Sequence, residues 1–140
     1  MIEVSAKYLL FHGSIVLMAG IFTGLLFWLV IILGKANESV RAWRVAHSVL
    51  IVDGLMMLIA GLTMPHLHLS SLAIWVLVVA LILSGYGFIF AFMVGAWKGI
   101  RGLTPKPFGL NTILIIGHFI GATGSFIGIA ILIYGLFRAL

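Results

Sequence analysis

Apolar residues fill four long stretches of this chain, and polar residues are confined almost entirely to the short pieces between them. Crossing roughly 30 Å of hydrocarbon takes a helix of about 20 mostly apolar residues. The segments 8–34, 46–64, 71–97 and 110–137 meet that requirement. None shows the period-two alternation and frequent turns of a membrane barrel, so the pattern predicts helices. The expected fold is all-α, an integral membrane bundle of four spans forming one domain over residues 1–140. The first run is too long for a cleaved leader and no small-residue cleavage site follows it, so it reads as a retained helix.

The connections carry the polarity. Residues 35–44 read as a polar loop with Asn37, Glu38, Ser39 and Arg41, and residues 98–107 as a basic loop with glycine and two prolines. The middle connection, Pro65-His66-Leu67-His68, is tight and has no charge fixed at neutral pH. Composition narrows the class further. The chain is 64% hydrophobic and only 8% charged, about a third of the charge of soluble domains. A soluble domain of 140 residues has no interior large enough for that apolar surface, which excludes a water-soluble enzyme or a nucleic-acid partner. The net charge of +5 comes from eight Lys/Arg against three acids, and it reports topology. Lys35, Arg41 and Arg44 follow the first span, and Lys98, Arg101 and Lys106 follow the third. The other side holds only Lys7 and Arg138. The positive-inside rule puts both basic loops in the cytoplasm and both termini outside it, with a bacterial inner membrane as the expected location. The absence of cysteine removes disulfides, thiolate ligands, Cys-linked haem and iron–sulfur clusters.

Polar groups within the spans are the candidates for chemistry. Asp53 is the acid in span two, and a carboxyl at that depth is protonated, paired or facing a polar cavity. His47 opens the same span, and Gly54 and Gly61 follow it at heptad spacing, on one helical face. A flat macrocycle fits such a face with its iron on the imidazole. The same spacing also describes a histidine at a helix start beside a glycine packing seam, and spacing alone leaves both open. His118 lies about two turns into span four, beside the stripe Gly117, Gly121, Gly124, Gly128 and Gly135. Such stripes let membrane helices approach closely. His118 is either a second axial ligand or a hydrogen-bonded interior histidine. His12 lies near the opposite surface, almost a full membrane from His47, so the two cannot share one iron within a subunit. His66 and His68 sit on the outer turn, where two histidines do not make a metal site. Trp28, Trp43, Trp75 and Trp97 lie near span ends, as interfacial anchors do.

The run Trp43-Arg44-Val45-Ala46-His47-Ser48, then Asp53-Gly54-Leu55-Met56 and later Pro65, resembles the styrene oxide isomerases. These are small four-helix membrane proteins with a Trp-x-x-Ala-His-Ser motif followed by Asn-Gly-x-Met and Pro. The likeness extends back to His12-Gly13, Gly24 and Trp28. It extends forward to Leu83-Ser84-Gly85, Arg101-Gly102-Leu103 and Phe108-Gly109. The resemblance implies haem b on His47 and a homotrimer with haem near the subunit interfaces. It also implies isomerisation of an aryl epoxide to an aldehyde, with ferric iron as Lewis acid. Arg44 and Arg101, with Arg41 and Lys98, are the cations at the His47 end that fit haem propionates. Three pocket positions depart from the family pattern: its Asn is Asp53 here, its span-three Asp is Ser84, and its Tyr is Phe92. An acid has in effect moved from span three to span two, and a hydroxyl is lost that Tyr86 replaces from another turn or merely packs beside. The expected substrate is therefore a small apolar molecule. Two other readings stay open: a haem protein without this chemistry, serving electron transfer or gas or haem binding, and a haem-free small transporter or assembly subunit using Asp53. Four-span multidrug exporters carry an acid in span one, and span one here has none.

Overall fold

The computed structural model describes residues 2–104, 106 and 108–140; Pro105 and Pro107, assigned above to the basic loop, lie outside the described residues. The order is α1 (Ile2–Ile32), α2 (Asn37–Thr63), a 3-10 turn (Met64–His66), α3 (Ser71–Phe88), a π turn (Ile89–Met93), α4 (Val94–Lys98) and α5 (Leu110–Phe137). No strand occurs among the described residues. The segment from α3 through the π turn to α4 is one span, so four helical segments are long and apolar enough to cross a membrane.

The helices outrun the apolar runs that foretold them. α1 starts at Ile2 rather than residue 8, and its first turns are tied by a 2.7 Å ion pair between Lys7 Nζ and Glu3 Oε1, neighbours one turn apart. The larger correction is at residues 35–44, read above as a loop. α2 is already helical from Asn37. A helix does not stop where the hydrocarbon does, and this polar turn meets water and headgroups while its backbone bonds stay internal. Glu38 in the first turn also complements the helix dipole. The true turn is only residues 33–36, closed by Gly34 at φ +60°. Ser70 caps α3, its hydroxyl accepting from the Ala73 amide at 3.3 Å.

α1 packs along α2 and α3 along α5, giving two helical pairs. They join chiefly through α1 against α3 and through α2 against α3 and the π turn, while α2 and α5 hardly touch. The shared core includes Leu9, Val16, Leu50, Met57, Leu77 and Leu81. Outward, Phe11, Trp28, Val52, Leu72 and Phe126 are exposed, as expected of side chains whose solvent is lipid. Both pairs depend on close backbone approach. A Cβ at Gly54 would stand 2.7 Å from the Leu17 amide nitrogen on α1, and one at Gly124 would run into the Ala80 carbonyl on α3. Small residues at such crossings are how membrane helices gain van der Waals contact.

Candidate functional site

His47 is half-buried on α2, with Nδ1 2.8 Å from the Gly20 carbonyl of α1. A carbonyl only accepts, so Nδ1 carries the hydrogen and the lone pair is on Nε2. That arrangement fixes a metal-ligating imidazole in tautomer and orientation. One turn along α1, a Cβ at Gly24 would come within 2.8 Å of Nδ1 and 2.9 Å of Cε1. The ring therefore lies on bare backbone, a place only glycine leaves open. Arg44 lies on the same side of α2, its guanidinium 5.5 Å above the Phe27 ring of α1.

The glycine face below His47 needs correction. A Cβ at Gly54 would run into the Leu17 backbone, and one at Gly61 would stand 3.1 Å from the Leu10 side chain. The groove expected there for a macrocycle is filled by α1, so Gly54 is a packing residue of the α1–α2 seam. The heptad spacing encodes helix approach, and the cofactor reading of Gly54 falls.

A second polar place lies deeper, where three spans converge. Asp53 of α2 is 3% exposed. Its Oδ1 is 3.2 Å from Ser84 Oγ of α3 and 3.4 Å from Ser125 Oγ of α5. Ser84 Oγ is 2.8 Å from the Gly121 carbonyl and 2.6 Å from Ser125 Oγ. The only ion pair among the described residues is Lys7–Glu3, so no cation neutralises Asp53 there, and its Oδ2 has no hydrogen-bond partner. The two positions between which an acid has moved are thus one site, bonded across the α2–α3 contact. Ser125 escaped the sequence reading. A serine in a membrane helix ordinarily bonds back to its own preceding turn, as Ser14 does to the Leu10 carbonyl. No motif separates the serine that reaches across.

The third place is a cavity of about 480 Å³ at the basic end, bordered by Arg41, Arg101, Phe92 and His118 together with apolar groups of α4. The π turn carries Phe92 into it. A π turn is one residue wider than an α turn and is common at functional sites, and nothing in the sequence marks this one. Phe92 meets the His118 ring edge-on, centroids 4.6 Å apart. His118 Nε2 is 3.1 Å from the Arg101 carbonyl and donates to it, tying the basic loop down over the cavity. Nε2 thus carries the hydrogen, and the lone pair of the ring is on Nδ1.

Tyr86 is elsewhere. Its hydroxyl is 2.9 Å from His12 Nδ1, in an aromatic group with Tyr8 on the α1–α3 side. It does not replace a hydroxyl at Phe92. His68 Nδ1 lies 3.2 Å from the Arg138 carbonyl and ties the outer turn to the C-terminal end. Among the described residues no three His, Cys, Asp or Glu side chains gather as a metal cluster.

No curated protein and no solved structure matches the chain. The family model described as styrene oxide isomerase matches residues 5–137, a stretch that takes in His47 with its glycine support, the Asp53 centre and all but the ends of the four spans. The chain therefore belongs to the styrene oxide isomerase family.

Proposed function

We propose that the protein binds haem b through His47 and isomerises a small apolar epoxide to an aldehyde within the membrane. One observation carries the reading: the His47 ring is laid on Gly24 with Nδ1–H committed to the Gly20 carbonyl. A histidine prepared in this way offers Nε2, and the hydrogen bond behind it makes that nitrogen a better ligand. When bound, haem would supply a Lewis-acidic iron for the epoxide oxygen. The chain's own residues do the rest. The apolar spans keep water from the reacting group. Arg44 and Arg101, with Arg41, stand at the His47 end for carboxylates. Asp53, Ser84 and Ser125 set hydrogen-bonding oxygens in an otherwise apolar interior. His118 donates through Nε2 to the Arg101 carbonyl and so ties the basic loop to α5 beside this end.

We further propose a homotrimer in a bacterial inner membrane, with basic loops in the cytoplasm and haem near the subunit interfaces. The support is the family likeness together with the six cations grouped at one end of the spans.

The test is the absorption spectrum of protein purified from membranes, with and without His47→Ala, alongside conversion of an aryl epoxide without added oxidant or reductant. A haem b spectrum with epoxide turnover, both lost in His47→Ala, is the expected result. Full haem occupancy in the variant would remove His47 as ligand. Colourless wild-type protein from haem-replete cells would remove haem altogether.

A further inference from the structure

The oxygens around Asp53 can be counted for hydrogens. Gly121 O is a carbonyl and cannot donate, so its 2.8 Å contact takes the Ser84 hydrogen. The 2.6 Å contact between the two hydroxyls then takes the Ser125 hydrogen. Both serine hydrogens are spent, yet Asp53 Oδ1 still lies 3.2 and 3.4 Å from the two hydroxyl oxygens. With a third hydrogen, on Oδ1, the 3.2 Å approach is a hydrogen bond donated to Ser84, and the longer one to Ser125 is plain contact. Two further observations agree. No cation is paired with Asp53, and the partnerless Oδ2 is far less costly as the carbonyl oxygen of a neutral acid than as half of a carboxylate.

The three residues are not equally hidden. Asp53 and Ser84 are buried, and Ser125 is half-buried. Ser125 lies seven residues after His118 on α5, so the two share a flank about 10 Å apart along the axis. His118 borders the cavity at the basic end, and α2 scarcely covers α5. Ser125 is therefore the member of the cluster nearest the surface, on the flank of α5 that leads toward the cavity. Its hydrogen, given to Ser84 at rest, is free to rotate outward, because Ser84 keeps the Asp53 hydrogen as its own partner.

We propose that Ser125 is a ligand-binding residue: its hydroxyl donates to the oxygen of a small apolar epoxide or carbonyl compound held between α2 and α5, with Asp53 and Ser84 supporting it from behind. No proton leaves Asp53 and no covalent bond changes; one hydrogen bond is exchanged for another. The choice of ligand class rests on the isomerase reading, while the hydrogen-carrying Asp53 and the outward donor do not.

The experiment is infrared difference spectroscopy of the purified protein, with benzaldehyde as the probe and Asp53→Asn used to assign the carboxylic acid C=O band. Wild type is expected to show the band, Asp53→Asn to lack it, and benzaldehyde to shift it in wild type and Ser125→Thr but not in Ser125→Ala. For an aryl epoxide, Ser125→Ala is expected to raise KM about three- to tenfold, the worth of one hydrogen bond, with kcat little changed. Thermal unfolding of Ser125→Thr and Ser125→Ala equal to that of wild type shows that both are folded. Absence of the acid band in wild type, or an undiminished benzaldehyde shift in Ser125→Ala, overturns the proposal. Because the infrared shift needs no turnover, a protein that shifts but never isomerises rejects the isomerase reading and keeps Ser125. One that isomerises with no response to Ser125→Ala does the opposite.

Discussion

Around Asp53 the chemistry of a single side chain can be separated from its charge. Replacing it with asparagine keeps the network, since the amide N–H₂ donates where Oδ1–H did and the amide oxygen stands in for Oδ2. Asp53→Asn is therefore expected to retain haem and epoxide turnover. Asp53→Leu takes a polar partner from buried Ser84 and half-buried Ser125; it should keep haem, lose about 1–3 kcal/mol of stability and turn over poorly. Thermal unfolding and epoxide assays of the pair decide the matter. A protein that used Asp53 to carry a proton or cation would fail as Asn, and that result would favour the transporter reading. Gly24 provides the second residue-scale test. A valine there drives its Cβ into the His47 ring, which the structure places 2.8 Å away. Gly24→Val is expected to lose haem as fully as His47→Ala, measured by absorbance. Full occupancy would mean that the ring position has no bearing on ligation.

Between elements, the α1–α2 seam and the site are one structure, because α1 supplies both the Gly20 carbonyl and the Gly24 floor under His47. Gly54 holds that seam two turns deeper, with Leu17 backbone atoms against it. Gly54→Leu should cost about 1–3 kcal/mol by overpacking. It should also loosen haem without touching His47, because α1 must move as a body. The check is unfolding in graded denaturing detergent together with haem retention. Unchanged stability would show the seam to be slack. The π turn has an equally direct geometric effect. One added residue per turn displaces everything after it by about 100° relative to an uninterrupted α-helix. That displacement decides which side of the third span Phe92 and α4 present to His118.

For the molecule as a whole, α2 and α5 make few contacts, and theirs is the flank that a second subunit is expected to cover. Oxygens that approach it face hydrocarbon unless something covers them, and groups left unsatisfied in lipid cost several kcal/mol each. A trimeric mass in mild detergent is the expected outcome, by native mass spectrometry or light scattering. A monomer with full activity would show that one subunit completes its own site. Reporter fusions after Leu140 are expected to be active on the non-cytoplasmic side, from the placement of Lys35, Arg41, Arg44, Lys98, Arg101 and Lys106 on one side of the spans.

Four spans, their helical class and the His47 motif could all be read along the chain. Each is a local property: an apolar run of sufficient length has one stable form in lipid, because only internal backbone hydrogen bonding satisfies it there. The helical start at Asn37 was hidden by the same logic, since hydropathy marks where lipid ends and not where helix ends. The glycines at 54 and 61 announced a close approach but not what approaches. The answer, α1 rather than a cofactor, depends on how two helices are rotated against each other. Ser125 carried no mark at all, and its meeting with Asp53 and Ser84 exists only once α2, α3 and α5 are in place. Apolarity by itself is indifferent to helix rotation in a lipid solvent. The four spans and their helical form therefore follow from the sequence alone, while the partners of Gly54, Asp53 and Ser125 were decided by tertiary packing, through close glycine contact and hydrogen bonds whose directions only the assembled helices supply.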